Sequence, residues 1–483
     1  GDEAFVAVNF VTRDFAGMIK PLEYGQIVPL GYMWAELAVS RMLGLSEWSL
    51  HLVAFVAGII ALLVFWRFAF AVLDRRAALL ALAFFAASYY PVRHAAEVKA
   101  YATDLLIGLV LSASAWSVYQ RPRSISRWIV LVLLGAAAPW CSYPSVFVLG
   151  AIGLLLVLLA MHERFAARLT LATALYGLVV IGSFLAMYII YARPHAQAAS
   201  LLTETWARAF PPLTAPLKLF VWFLAVHTGN MLAYPQGGQP PGSIITALLV
   251  VIGAVRLWHT RRELLLLLLG PLPFALIAAG LKAYPYGDSA RTSLYLAPAF
   301  CLLAGLGLWV LLQRFLKGQW RRAGLRVAAI VFCLFAVGGM AIDLLQPYKS
   351  GPVARSRAAV KTLVDSTGPQ DRWVIFNATV PVPYAPWLGD WHGIGAQFVF
   401  DVLRFARVPV QWAPPPESIQ PQPGAKLWLM AYSGCKVGFP DDQWAAYLAT
   451  IRARFAPPVR HTFEIKRKGD CIEALTVYEF PPP

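Results

Sequence analysis

Charge is scarce in this sequence. Asp, Glu, Lys and Arg make up 14% of its 483 residues, and 59% are hydrophobic. An average soluble domain carries about 25% charged residues, so a soluble globule of this composition would leave much apolar surface uncovered. The whole chain is therefore neither a soluble protein nor a disordered one. Acidic residues are especially few: 25 against 41 basic ones, a net charge of +16. In a soluble protein that excess would suggest nucleic acid. In a membrane protein its first explanation is basic cytoplasmic loops, and no nucleic-acid partner is expected. Cysteine is also sparse, at five residues. No CxxC or CxxCH spacing exists, which removes the usual zinc and haem signatures and a disulfide scaffold. No internal repeat or low-complexity tract stands out.

Long apolar runs are what the sequence has instead. A bilayer is crossed by about 20 helical residues. Spans are read near 51–73, 77–92, 100–119, 128–142, 144–161, 169–191, 243–258, 264–281, 293–313 and 327–346. The loops between them divide by charge. One set holds Arg75, Arg76, Arg121, Arg123, Arg127, Arg164, Arg168, Arg256, Arg261, Arg262, Arg314, Lys317, Arg321, Arg322 and Arg326. The alternate set holds Arg93, Lys99, Arg193, Arg208, Lys282 and Arg291. Fifteen cations against six assign the first set to the cytoplasm. The apolar stretch 218–234 breaks this alternation if counted as a span, so it is assigned to an extracytoplasmic amphipathic or re-entrant segment.

With ten spans, residue 1 and everything after 346 lie outside. The sequence opens Gly1-Asp2-Glu3 with no Met, no positive n-region and no signal peptide. A first transmembrane helix upstream of residue 1 is therefore expected. Three regions follow: a first extracytoplasmic loop with juxtamembrane helices at 1–50, a transmembrane bundle at 51–346, and an extracytoplasmic domain at 347–483. In the last, 373–378, 409–412 and 426–431 read as strands, and 394–406 and 443–455 as helices. Segments 459–466 and 472–480 flank Lys468-Gly469-Asp470, a hairpin signal. Alternating strand and helix predicts a small α/β domain. In an oxidising compartment Cys435 and Cys471 are candidates for a disulfide, while Cys301 and Cys333 fall within spans.

Four polar constellations gather on the outer side. The first runs from Asp2 and Glu3 through Asn9, Arg13 and Asp14 to Leu22-Glu23-Tyr24-Gly25-Gln26. The second is the stretch 93–104, RHAAEVKAYATD. Its Glu97, Tyr101 and Asp104 recur at i, i+4 and i+7, the spacing of one helical face, with Arg93 four residues before. Such a row is costly at a membrane helix end unless it faces water, a partner or a substrate; an ion-paired helix end is the plainer alternative. The third is Tyr284-Pro285-Tyr286-Gly287-Asp288-Ser289-Ala290-Arg291, in which Arg291 alternatively only snorkels. The fourth is His227-Thr228-Gly229-Asn230, which alternatively caps or pairs locally.

Taken together, these pieces resemble bacterial glycosyltransferase family 39 and its GT-C relatives, the protein O-mannosyltransferases and lipid A aminoarabinose transferases. The resemblance rests on Asp2-Glu3, on PLEYGQIVPLGYMWAELAVSRMLGLSEWSLHL at 21–52, on the 93–104 stretch and on YPYGDSARTSLYLAPAF at 284–300. It covers about residues 1–315, in matching order. It implies an α-helical polytopic membrane protein with a GT-C type bundle in a bacterial cytoplasmic membrane. It also implies sugar transfer from a polyprenyl-phosphate-linked donor on the outer face, with inversion. The family's catalytic acid in the first outer loop maps to Asp2, acting as general base, with Glu3 supporting it or orienting the acceptor. A departing polyprenyl phosphate needs cations. Arg93, Lys99, Lys282 and Arg291 lie near outer span ends in the matched motifs, and Lys99 and Arg291 are the chosen phosphate ligands. Glu97, Tyr101 and Asp104 would hold the sugar, hold a cation or buttress Lys99. Tyr24 and Gln26 are sugar- or acceptor-side candidates. A divalent metal is left open, with Asp2, Glu97 and Asp104 as candidate oxygen ligands. The Pro271 and Pro273 kink either borders a lipid groove or is structural.

Two other readings share these features: a lipid-linked sugar transporter or flippase, and a non-catalytic envelope assembly subunit. Against the first, the charged groups sit at span ends and no repeat is visible, whereas transporters bind near the midplane between repeats. The donor sugar, and whether the acceptor is a protein, a lipid or a polysaccharide, stay open.

Overall fold

The structure is a computed structural model. It describes residues 3–198, 206–345, 350–376, 400–406, 408–412, 414–434, 441–467 and 470–483. The chain forms two compact units. One comprises Gly1–Gly17, Pro21–Gln26 and Pro347–Pro483; the other comprises Met18–Lys20 and Ile27–Gln346.

The larger unit is helical. Among the described residues seven helices are long and apolar enough to cross a membrane: Glu47–Val72, Tyr101–Gln120, Ser145–His162, Ala167–Ala196, Arg262–Gly280, Ala290–Phe315 and Gly318–Leu345. Ile125–Cys141 and Ile244–Thr260 are shorter apolar helices, at 17 residues each, or about 26 Å of rise. The expected span 77–92 is divided. Arg75–Ala86 ends at Ala87, Tyr89–His94 follows, and the Ser88 hydroxyl donates to the Phe84 carbonyl at 2.5 Å. The stretch 218–234 forms the helix Pro216–Thr228, 13 residues long. About 20 Å of rise is too short for a bilayer core.

Packing within this unit centres on Ala297–Phe315, whose residues from Ala297 through Gly307 are buried in succession. It crosses Ile244–Thr260 where Gly307 meets the Leu249 carbonyl and Gly253 meets the Leu303 carbonyl, leaving no room for a Cβ at either position. Small residues bring membrane helices this close, where association rests on van der Waals contact rather than on water release. Facing outward, Leu171, Leu178 and Ile181 are largely exposed, as expected of side chains turned to acyl chains. The Pro271 kink is packed: Arg262–Leu269 and Pro271–Gly280 join at Gly270, and the Phe274 ring lies against Gly150.

One end of this bundle carries the arginine-rich loops. Arg127 donates to the Ser117 carbonyl at 2.7 Å, and Arg261 to the Val72 carbonyl at 2.7 Å. Both acceptors lie in the last turns of helices, where orphan carbonyls favour cations. Trp309 Nε1 donates to the Asp74 carboxylate at 3.2 Å, and the Arg76 guanidinium stands 5.3 Å from the Trp309 ring.

The smaller unit holds a five-stranded mixed sheet, ordered β2-β1-β3-β5-β4. Its strands are β1 (Arg372–Phe376), β2 (Val410–Trp412), β3 (Leu427–Gly434), β4 (Val459–Arg467) and β5 (Asp470–Phe480). β1 runs parallel to β2 and β3, while β5 is antiparallel to β3 and β4. The helix Asp441–Arg452 supplies Tyr447, Leu448 and Ile451 to a core with Val374, Leu429 and Phe480. Expected strands and the second expected helix coincide with these elements. Of the first expected helix, residues 400–405 are helical and 394–399 lie outside the described residues. The helix Ser350–Asp365 was not anticipated. Asp371 is a hub, accepting from the Lys426 and Gly368 amides at 2.8 Å and from Trp428 Nε1 at 3.0 Å. Glu479 pairs with Lys426 at 2.7 Å and His461 at 3.0 Å.

Two outcomes follow for stability. Gly307→Val overpacks the central crossing and should lower the thermal midpoint of the solubilised protein, at about 1–3 kcal/mol or more. Gly177→Ala, where an added Cβ meets nothing, should leave it unmoved. Partial burial raises the Glu479 carboxyl, but Lys426 and His461 outweigh it and hold the group below its ordinary value. Its contribution is therefore complete above the unfolded value and lost as pH falls through the folded one. Acid titration of the wild type against Glu479→Gln should show that difference shrink as pH falls below the ordinary glutamate range.

Candidate functional site

At the opposite end of the bundle from the arginine-rich loops, the chain between two helices forms an elbow. Residues Tyr89–His94 are helical, Tyr101 starts the next helix, and Glu97 lies in the bend between. Glu97, Tyr101 and Asp104 thus do not form one continuous helical face. Glu97 instead divides its carboxylate: Arg93 Nε donates to Oε1 at 3.3 Å and His94 Nδ1 meets Oε2 at 2.8 Å. The His94 ring is buried, stacked on Tyr90 and edge-on to Tyr101 at 5.1 Å. The Arg93 guanidinium also stands 5.8 Å from the Tyr89 ring. Lys99 is half-buried in the same bend, its amide bonded to the Glu97 carbonyl at 2.8 Å.

Asp104 sits one turn deeper, buried beside Ser142. Tyr284 of the third motif and Tyr295 just beyond it lie near Asp104. Tyr284 is fixed by its hydroxyl, which donates to the Thr292 carbonyl at 2.9 Å, and by an edge contact with Phe147 at 5.3 Å.

The third and fourth motifs meet. Asn230 Nδ2 donates to the Asp288 carbonyl at 2.9 Å, and His227 Nε2 lies 3.2 Å from the Tyr286 hydroxyl. Burial pushes the His227 imidazole below its ordinary value, against a backbone bond to Phe223. Segment 206–210 joins them: the Tyr286 amide donates to the Ala209 carbonyl at 3.1 Å. Arg291 stands 5.0 Å from the Trp206 ring. Partial burial raises the Asp288 carboxyl, while Arg208 and Arg291 pull it back. Lys282 is exposed in the turn before this motif, at φ +56°.

In the other unit, the first motif closes on itself. Glu3 starts the helix Ala4–Thr12, its carbonyl accepting from Val6 and Ala7. Asn9 is buried and accepts from the Glu23 amide at 3.0 Å, and Arg13 bonds Glu23 at 3.0 Å and the Gly17 and Pro21 carbonyls at 2.9 Å. Tyr24 and Gln26 lie in and just after the turn Glu23–Gly25. Asp2 lies outside the described residues, as does Cys435, and the Cys471 side chain is not described. Cys141, Cys301 and Cys333 are free.

No group of three or more His, Cys, Asp or Glu able to hold a metal occurs among the described residues. Glu97, a candidate ligand, is engaged by Arg93 and His94. Sequence reasoning passed over His94, Ser142 and Asp288 as site residues. His94 had a signal, its three-residue spacing to Glu97; Arg208 and Trp206 had none, lying in a linker without periodicity.

Removing the shared carboxylate tests the elbow. Glu97→Ala leaves Arg93 and His94 without their acceptor and should cost about 1–3 kcal/mol. Glu97→Gln, which keeps one acceptor oxygen, should lower the thermal midpoint less.

No known family model and no curated protein sequence matches the chain. Solved structures do. ArnT from Cupriavidus metallidurans in the apo state is similar over 98% of this chain and 92% of its own, with a TM-score of 0.55 at 12% identity. The same protein bound to undecaprenyl phosphate is similar over 99% and 93%, with a TM-score of 0.54 at 13% identity. The apo oligosaccharyltransferase of Archaeoglobus fulgidus is similar over 98% of this chain and 70% of its own, with a TM-score of 0.51 at 11% identity. With seven membrane-length apolar helices, this is a multi-pass membrane protein carrying the GT-C fold.

Proposed function

We propose that the protein is a membrane glycosyltransferase that moves a sugar from a polyprenyl-phosphate-linked donor to an acceptor hydroxyl, with inversion. The observation that carries this reading is the shared fold, over nearly the whole chain, with ArnT solved bound to undecaprenyl phosphate. The cation-bearing motifs around Lys99 and Arg291 supply the chemistry such a donor demands. Its setting is a bacterial cytoplasmic membrane, with Lys99, Arg291 and the C-terminal domain outside, as the fifteen-to-six division of loop cations supports.

In this mechanism Asp2 takes the proton from the acceptor hydroxyl as that oxygen attacks the anomeric carbon. The bond from that carbon to the phosphate oxygen breaks, and polyprenyl phosphate leaves as an anion, without a strong general acid. Lys99, as a point charge, and Arg291, as a planar fork, stabilise the charge that grows on it. Arg93, held by Glu97, braces the bend that carries Lys99, and Lys282 adds positive potential at the rim. Tyr101 and Asp104 face the sugar, Glu3 orients Asp2, and Tyr24 and Gln26 lie on the acceptor side. Burial of the polyprenyl tail is worth about 0.8 kcal/mol per CH₂, so the donor stays in the bilayer and the reaction takes place at its surface.

Membranes containing the protein should release polyprenyl phosphate from polyprenyl-phosphate sugars. Asp2→Asn should abolish that release while expression and donor binding persist. Undiminished transfer by the variant would remove Asp2 from the mechanism.

A further inference from the structure

The short segment 206–210 is fixed from two sides. Its Ala209 carbonyl accepts from the Tyr286 amide at 3.1 Å, and its Arg208 carbonyl accepts from Trp222 Nε1 at 2.9 Å. Within the segment, the Ala209 amide donates to the Trp206 carbonyl at 2.9 Å, closing a turn. The two anchors also meet each other, with the Trp222 and Tyr286 rings 5.8 Å apart. Tyr286 is buried, and its hydroxyl lies 3.2 Å from His227 Nε2, while His227 Nδ1 lies 2.8 Å from the Phe223 carbonyl. A carbonyl only accepts, so Nδ1 carries the proton and, in the neutral ring, Nε2 accepts from Tyr286. From Tyr286 the chain turns at Gly287, at φ +70°, where an added Cβ would meet Val226 and Met231. It then reaches Arg291, whose guanidinium carbon lies 5.0 Å from the centre of the Trp206 ring. The segment and the third motif therefore meet twice, by backbone at Ala209 and Tyr286 and by side chains at Trp206 and Arg291.

We propose that Trp206 is a positioning residue for sugar transfer, its ring holding the Arg291 guanidinium ready for the donor phosphate. The proposal rests on the donor class given above and deepens it. A long arginine side chain loses rotamer freedom when it grips a ligand, and that loss weakens binding. A ring that already holds the guanidinium removes part of the loss before the ligand arrives. The ring is also neutral. It attracts the cation through its electron-rich face and adds no negative charge that would repel a phosphate. Glu97 differs in this respect, since it meets Arg93 with a carboxylate. Trp206 itself makes and breaks no bond and acts through Arg291, so the energetic effects of the two residues must be coupled.

The test measures binding of undecaprenyl phosphate to the full protein in lipid nanodiscs, with phosphatidylglycerol as competitor. Trp206→Leu should weaken binding about fivefold, and Trp206→Phe, which keeps a ring face, should recover most of it. Arg291→Gln should weaken binding at least as much, and adding Trp206→Leu to it should change nothing further. Wild-type affinity in Trp206→Leu, with Arg291→Gln impaired, overturns the proposal while leaving the donor class intact. Losses that add in the double variant also overturn it, because Trp206 then acts through the fold or the lipid tail rather than through Arg291. Competition by phosphatidylglycerol at equal affinity assigns the pair to a membrane headgroup and overturns it as a donor site. Wild-type affinity in Arg291→Gln overturns the proposal together with the phosphate role of Arg291. No binding by the wild type overturns the donor class itself.

Discussion

Charge placed at the edge of a low-dielectric slab needs a partner, and this requirement governs both ends of the helical unit. Desolvating an unpaired ion costs several kcal/mol even after relaxation. At one end the solution is static: guanidiniums such as Arg127 and Arg261 terminate on helix carbonyls. At the other end they lean on carboxylates and rings. Arg93 meets Glu97 and Tyr89, while Arg291 stands over the Trp206 ring. That contrast distinguishes the two ends of the unit.

The end that carries the elbow is held by packing below it. Gly253 and Gly307 let two helices cross at backbone contact, and the Ala290–Leu296 segment runs directly into that central helix. Arg291 therefore stands at the rim of the most buried helix in the unit. Asp104, on the Tyr101–Gln120 helix, lies near Tyr284 and Tyr295. A site built on the ends of buried helices is more rigid than one on free loops, which suits a reaction in which charge must be met where it develops.

Much of this was legible from pattern. Apolar runs at membrane length gave the spans, because helix propensity and lipid exposure act on the same residues. Val459–Arg467 and Asp470–Phe480 announced themselves by alternation around a Lys-Gly-Asp turn. The sequence misled where local pattern was overruled by contacts far along the chain. The i, i+4, i+7 row at Glu97, Tyr101 and Asp104 implied one helical face, but the chain bends at Glu97, whose carboxylate is bound by Arg93 and His94. The run 77–92 looked continuous, yet it breaks at Ser88. The neighbours of Trp206 and Ala209 were invisible in the sequence, since Arg291 stands over the Trp206 ring and the Tyr286 amide bonds the Ala209 carbonyl from about 80 residues away. Asp2, the residue given the base's role, was singled out through the resemblance rather than through periodicity.

The most direct test of the central claim compares undecaprenyl phosphate with undecaprenol, its neutral analogue, as ligands that raise the thermal midpoint of the purified protein. The two share a tail and differ only in the phosphate. A cationic site should give saturable stabilisation by the phosphate, about 2.7 kcal/mol at one hundred times its Kd, and little by the alcohol. Equal stabilisation by both would show that the protein recognises the lipid tail alone, and would contradict a cationic site for a polyprenyl phosphate.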